Sequence, residues 1–324
     1  MADQPRFDGD TLDREFTSIT VAPMTLTIGA EVSGVDLGQP LSAEQHAEIR
    51  RAWVKWKVLC FRGQHLDHAG HSAFARQFGE PTVGHPVFGH DDDYPEIYSV
   101  AKLRRGNTLY QGKPMLTPWS FWHADLTCAI NPPVGSMLRG DIVPPYGGDT
   151  HWTDLAAAYR GLSETMRDIV DRLDAIHSFE VPAGDGAAAE YAESLRQRTM
   201  TTRHPLVRVH PESGERSLYL SPSFVRRIDG LHPRESQKLL ELLWEHAVRP
   251  EYVARFRWQP GDIAFWDNRT TAHLAPLDIL DSEFDRQLYR ITLVGEVPVG
   301  VDGRTSQAIE GRPILSVAEE FAAA

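Results

Sequence analysis

His123 and Asp125 stand two residues apart in Trp122-His123-Ala124-Asp125, and His273 follows 148 residues after the aspartate. On a strand, residues i and i+2 point the same way, so the first pair would present a nitrogen and an oxygen to one point. One carboxylate and two imidazoles make a ligand set suited to mononuclear non-haem iron(II). With His273 arriving from a distant strand, three octahedral positions stay open for co-substrate and oxygen. His-x-Asp alone is a common tripeptide, and its weight comes from its company. Residues 284–295 read as a strand carrying Arg286 and Arg290 on one face, roughly 13 Å apart. Thr150 lies twenty-five residues after Asp125, in Gly147-Gly148-Asp149-Thr150. Guanidinium forks grip carboxylate or sulfonate through paired, charge-assisted hydrogen bonds. Two anions arranged about a metal fit such a pair, although each arginine alone also reads as a surface cation on an edge strand.

Further stretches fall in fixed order around these residues. They are Ile28-Gly29-Ala30-Glu31-Val32-Ser33-Gly34-Val35-Asp36-Leu37, Phe78-Gly79-Glu80, His85-Pro86-Val87, and Trp258-Gln259-Pro260-Gly261-Asp262-Ile263-Ala264-Phe265-Trp266-Asp267-Asn268-Arg269. With them the chain resembles the taurine dioxygenase family of iron(II)/2-oxoglutarate-dependent oxygenases, from about Ile19 to Gly295. The resemblance implies a mainly β fold with flanking helices, a double-stranded β-helix (jelly roll, cupin-like core) with helices packed on one sheet. It implies iron(II), 2-oxoglutarate and molecular oxygen as cofactor and co-substrates. His123, Asp125 and His273 would be the metal ligands, with no catalytic residue beyond them. Arg286 would hold the far carboxylate of 2-oxoglutarate, Thr150 would donate a second hydrogen bond, and Arg290 would bind an anionic substrate group. His85, Phe88, Trp119 and Phe224 fall at substrate-pocket positions, and Phe224 reads equally well as a core aromatic. Phe88 stands where the taurine enzyme has tyrosine, and Trp119 where it has asparagine. Both exchanges argue against taurine itself and for a larger, less polar body.

The expected reaction is oxidation, foremost hydroxylation, of a small anionic organic substrate, with release of succinate and carbon dioxide. Desaturation, cyclisation or other remodelling of a biosynthetic intermediate remains open with the same cofactors. A metal-binding jelly-roll protein without turnover is the reading from another class. A zinc hydrolase would accept the same ligands but leaves Thr150 and Arg286 without a task. Asp125 also speaks against halogenation, where a small residue replaces the carboxylate.

Composition narrows the partners. With 33 basic against 45 acidic residues, the formal net charge is −12, which opposes nucleic-acid binding. An anionic substrate must then be captured by local arginines against the overall field. No apolar run approaches the length of a membrane span, and the first ten residues lack the apolar core of a signal peptide. Two cysteines, Cys60 and Cys128, suit a reducing compartment. The expectation is a cytoplasmic homo-oligomer acting on a small molecule, with no nucleic-acid or membrane partner. Length leaves one large domain or two small ones open; residues 1–324 are taken as one catalytic domain, with 81–120 as a lid or substrate loop.

The elements that must carry these residues are also visible. Ser42-Ala43-Glu44-Gln45 matches a capping box and opens a helix through Ile49, Trp53 and Val54. Strands are expected at 58–61, 97–100, 135–140, 148–152, 252–258 and 262–266. A hairpin is expected from 206–210 into 217–220, turning at 211–214. Ser163 and Pro233 begin further helices. His65, His68 and His71 share a spacing of three and read as solvated histidines. Many short strands with a few helices indicate a double-sheet jelly roll.

Overall fold

The computed structural model describes residues 12–84, 89–101, 117, 121–179, 199–275, 277–279 and 282–322. In chain order the strands are β1 Thr20–Pro23, β2 Ala30–Ser33, β3 Val58–Phe61, β4 Tyr98–Ala101, β5 Gly135–Ile142, β6 Thr150–Asp154, β7 Asp174–Phe179 and β8 Met200–Pro205. They continue with β9 Val207–Val209, β10 Arg216–Leu218, β11 Val225–Ile228, β12 Val253–Phe256, β13 Ile263–Asp267, β14 Thr271–Leu274, β15 Gln287–Leu293 and β16 Gln307–Glu310. The α-helices are α1 Ala43–Trp56, α2 His68–Arg76, α3 Leu155–Arg160, α4 Glu164–Val170, α5 Pro233–Ala247 and α6 Val317–Ala322.

A seven-stranded sheet in the order β1-β2-β3-β13-β5-β15-β4 faces a three-stranded sheet, β12-β6-β14. Alternation along each strand sorts side chains between layers. Val58 and Cys60 of β3, Leu138 of β5, Ala264 and Trp266 of β13 and Leu288 of β15 meet Trp152, Ala254 and Phe256 of the small sheet. This is the interior of a jelly roll. Leu59, Phe61, Met137, Phe265 and Ile291 point the other way, onto α1 and α2 through Ile49, Trp53 and Phe74. Trp53 stacks on Phe265 with centroids 4.2 Å apart, a pairing worth roughly 0.5–1.5 kcal/mol beyond its buried area. Gly135 opens β5 because a Cβ there would lie 2.6 Å from the Trp53 ring.

The outer face of the small sheet is covered as well, where Ala272 packs with Leu155, Ala158, Leu240 and Leu243 of α3 and α5. The implied arrangement, helices on one sheet, is therefore corrected: helices cover both outer faces, because the small sheet also has an apolar outer side to bury. A further sheet, β11-β7-β8-β16, and the β9–β10 hairpin lie on that side.

The capping box forms at α1, with Ser42 Oγ accepting from Gln45 N. Ser163 caps α4, and Pro233 opens α5 at N1. The three-spaced histidines differ from expectation. His65 is exposed, but His71 is fully buried and burial pushes its pKa down to about 3. His68 Nδ1 meets Arg139 Nη2 at 2.9 Å. The helix turns one face into the core, so the polar spacing marked a buried side as well as a wet one. Both cysteines are buried and free; burial raises the Cys128 thiol to about 12. No helix among the described residues is long and apolar enough to cross a membrane.

Candidate metal and co-substrate site

Both sheets deliver polar side chains into one end of the jelly-roll interior. On β14, His273 shares the inward face with Trp152 of β6, its register partner. The turn before it is tied by side-chain hydrogen bonds. Asp267 at the end of β13 accepts from Arg269 and pairs with His210 Nε2 at 3.0 Å, and Thr271 Oγ1 donates to Asp267 O at 2.7 Å. His123 joins β14 through a single bridge, its N donating to His273 O at 2.9 Å and its O accepting from His273 N at 2.6 Å. The His-x-Asp segment is not the strand expected: Asp125 begins a turn, and Leu126 adopts φ +45°. Ala124 is held instead by Ser221 Oγ, which accepts from its N at 3.2 Å.

The three side chains nevertheless converge. One ligand atom from each of His123, Asp125 and His273 lies within 4.8 Å of the others. The Nε2 atoms of His123 and His273 sit 4.0 and 3.9 Å from Asp125 Oδ1. Phe121 O receives His123 Nδ1 at 2.9 Å, which fixes the tautomer and leaves the Nε2 lone pair free to face a metal. Burial holds both imidazoles below their ordinary pKa, His273 well below, so both stay neutral. Asp125 is ionised: burial opposes its charge, but the Arg290 guanidinium and the hydrogen bond from Ser136 outweigh it and hold the carboxyl below its usual range. His273 Nδ1 is buried without a hydrogen-bond partner among the described residues, and its ring lies 4.9 Å from that of Trp266. Two neutral imidazoles and one carboxylate, convergent, with Asp125 and His273 buried and His123 half-buried, fit a divalent metal.

Asp125 is oriented from behind by groups the sequence reading missed. Ser136 Oγ donates to Asp125 Oδ2 at 2.6 Å, Asn268 Nδ2 donates to Ser136 Oγ at 2.8 Å, and Trp266 Nε1 donates to Asn268 Oδ1 at 3.0 Å. Trp266 and Asn268 lay inside a motif already singled out; nothing local marked Ser136.

The two arginines part company. The strand starts only at Gln287, with a bulge between Gln287 and Leu288 against β5. Arg286 therefore precedes it and turns to β6, its Nε donating to Gly148 O at 3.1 Å. Gly148 has φ +66°, and a Cβ there would come within 3.0 Å of Arg286 Cδ, so glycine is needed twice over. Arg286 is 7% exposed. Burial pulls its guanidinium down to about 10 although Asp278 and Asp149 pull it up. Two residues beyond Gly148, Thr150 Oγ1 accepts Trp258 Nε1 at 2.9 Å, which leaves its own O–H to donate.

Arg290 shares the inward face of β15 with Leu288. Its Nη1 donates to Asp125 Oδ1 at 2.7 Å, its guanidinium lies 5.1 Å from the Tyr98 ring centroid, and its Nε is buried without a hydrogen-bond partner among the described residues. Phe224 is half-buried, 6.4 Å from Phe179, in a segment whose Ser223 Oγ donates to Trp122 O. His85, Phe88 and Trp119 lie outside the described residues, as does most of the expected lid at 81–120.

Comparisons agree with this geometry. The profile of the "Taurine catabolism dioxygenase TauD, TfdA family" matches residues 20–292. An alpha-ketoglutarate-dependent sulfate ester dioxygenase of Pseudomonas putida is 40% identical, over 89% of this chain and 94% of its own. A crystal structure described as a taurine dioxygenase from Burkholderia xenovorans is 55% identical with a TM-score of 0.81, covering 92% of this chain and 96% of its own. The crystal structure of AAD-2 in complex with Mn(II) and N-oxalylglycine is 28% identical with a TM-score of 0.71, covering 87% and 98%.

Proposed function

The chain belongs to the TauD, TfdA family, and from that premise we propose how its own residues divide the work of an iron(II)- and 2-oxoglutarate-dependent dioxygenase. His123, Asp125 and His273 would hold the iron on one face. When bound, iron(II) carrying chelated 2-oxoglutarate supplies the oxygen activation that couples decarboxylation to succinate with oxidation of the substrate. The protein contributes position and charge. Arg286 grips the distal carboxylate of 2-oxoglutarate, since a buried guanidinium with little compensation gains most from an incoming carboxylate. Thr150 donates to the same carboxylate with the proton that Trp258 leaves unused. Ser136 and Asn268 keep Asp125 facing the metal, and the two sheets exclude water from the reacting atoms.

Arg290 carries the substrate reading. Its buried, unpaired Nε beside Asp125 is a donor that an anionic head group would satisfy. A small organic anion oxidised close to that head is the substrate proposed, with Phe224 against its body. Hydroxylation is the expected outcome. Taurine is the second reading, favoured by the 55% identity to the Burkholderia xenovorans protein. A formal charge of −12 and two free cysteines support a cytoplasmic enzyme without nucleic-acid or membrane partners, and a homo-oligomer is the assembly proposed.

The test is succinate release with iron(II), 2-oxoglutarate and oxygen across sulfates, sulfonates, including taurine, and carboxylates. Stimulation by anions alone, lost in Arg290→Gln while 2-oxoglutarate still binds, supports the reading. A neutral compound turned over equally by wild type and Arg290→Gln would overturn it. Efficient turnover of taurine but not of larger anions would install the second reading.

A further inference from the structure

One connection, from β14 to β15, joins the two halves of the site: it begins just past His273 and ends at Arg286. Midway it forms one turn of 3-10 helix, Leu277–Ile279. From there Asp278 reaches across to Gly147 and Gly148, which lead into β6. Asp278 Oδ1 accepts from Gly148 N at 3.2 Å, while Gly148 O accepts from Arg286 Nε at 3.1 Å. The other carboxylate oxygen lies over Gly147, where a Cβ would come within 3.3 Å of it. Both glycines have positive φ, +79° and +66°. Two successive residues without a Cβ have the widest choice of backbone conformations, so this turn needs an outside tie to hold the carbonyl that braces Arg286. Asp278 supplies it. The carboxylates that act on the Arg286 guanidinium are Asp278 and Asp149. Arg255 pairs with Asp149 at 2.5 Å, whereas no cation lies within ion-pair distance of Asp278 among the described residues.

We infer that Asp278 is a positioning residue for 2-oxoglutarate: as an acceptor it fixes the two-glycine turn that braces Arg286, and as a charge it limits how tightly the distal carboxylate is held. The inference rests on the reading of Arg286 as that carboxylate's partner. The two actions have opposite signs. Loss of the acceptor frees the turn and weakens binding. Loss of the charge removes a like-charged neighbour of the incoming carboxylate and strengthens it. Asp278 is exposed, so solvent screens its charge and the second effect is the smaller.

The experiment titrates the Mn(II)-loaded protein anaerobically, by calorimetry, with 2-oxoglutarate and with 2-oxopentanoate, which has the same carbon chain without the distal carboxylate. Asp278→Asn keeps an acceptor oxygen and removes the charge, so it should bind 2-oxoglutarate as tightly as wild type or somewhat more tightly. Asp278→Ala removes both, and should bind it at least about threefold more weakly than Asp278→Asn, the loss of one hydrogen bond. Affinity for 2-oxopentanoate should be the same in all three proteins, because Asp278 acts through Arg286; a general loosening of the site would weaken both ligands. Arg286→Ala serves as the reference. Equal 2-oxoglutarate affinity in the alanine and asparagine variants, an asparagine variant weaker than wild type, or a matching loss for 2-oxopentanoate overturns the inference, and a weakened Arg286→Ala then leaves the co-substrate reading standing. Wild-type 2-oxoglutarate affinity in Arg286→Ala would remove that reading and this inference with it.

Discussion

Replacing Ser136 with alanine deletes one oxygen and tests how Asp125, the carboxylate proposed to bind the metal, is held. Ser136 is fully buried, and its Oγ both donates to Asp125 Oδ2 at 2.6 Å and accepts from Asn268 Nδ2 at 2.8 Å. A hydrogen bond to a charged group contributes about 1.5–3 kcal/mol. At about 1.4 kcal/mol per decade that becomes a ten- to hundredfold loss of metal affinity, the usual cost of removing an outer partner of a ligand. Arg290 still grips Oδ1 in the variant, which keeps Asp125 ionised and points to the lower half of that range. Asn268 meanwhile loses a buried acceptor, so stability should fall by about 1–3 kcal/mol. Anaerobic calorimetric titration with Mn(II) reads the first effect, and thermal unfolding of the metal-free protein reads the second. Once metal is saturating, 2-oxoglutarate affinity should match wild type, a split that general loosening of the fold would not give. A Mn(II) titration superimposable on wild type would refute the argument that this hydrogen-bonded chain orients Asp125.

Arg286→Ala removes one partner of a desolvated charge pair, a loss of about 2–5 kcal/mol; the 2-oxoglutarate requirement should rise at least about thirtyfold, and an unchanged titration would assign that carboxylate to another group. Glu48 is a buried carboxylate: burial opposes its charge, but hydrogen bonds from Thr17 and Ser18 prevail and lower its pKa from 4.5 to about 2. Because the folded value is depressed, its stabilisation is complete above about 4.5 and is lost as pH falls through about 2. The stability gap between wild type and Glu48→Gln, followed by urea unfolding, should therefore narrow across that window; a gap constant with pH would show that Glu48 acts through packing alone.

Much of this architecture could be read from local signals. The capping box at Ser42, the proline opening α5 and the tight hairpin of β9 and β10 are encoded within a few residues, and each formed. What escaped was long-range. Strands β7 and β8 carry buried His177, Thr202 and His204, which interrupt apolar alternation. Their hydrogen bonds run to distant residues, His177 Nδ1 to Thr127 Oγ1, His204 to Thr127 O and Ser306, and Thr202 Oγ1 to Cys128 O. Ser136 and Asn268 are 132 residues apart, so no window along the chain could join them. Alternation placed Arg286 and Arg290 on one strand face, whereas the strand begins a residue later and lets Arg286 reach Gly148. His123 and Asp125 converge as their spacing suggested, but through a bridge and a turn in place of a strand.

The most direct measurement is an anaerobic titration of iron(II) into protein with 2-oxoglutarate, following the visible absorption that arises when the co-substrate chelates the bound metal. Wild type should develop one equivalent of this band, and His123→Ala, Asp125→Ala and His273→Ala should develop little or none while retaining the wild-type circular dichroism spectrum. A full band with unaltered affinity in Asp125→Ala would contradict the assignment of the triad.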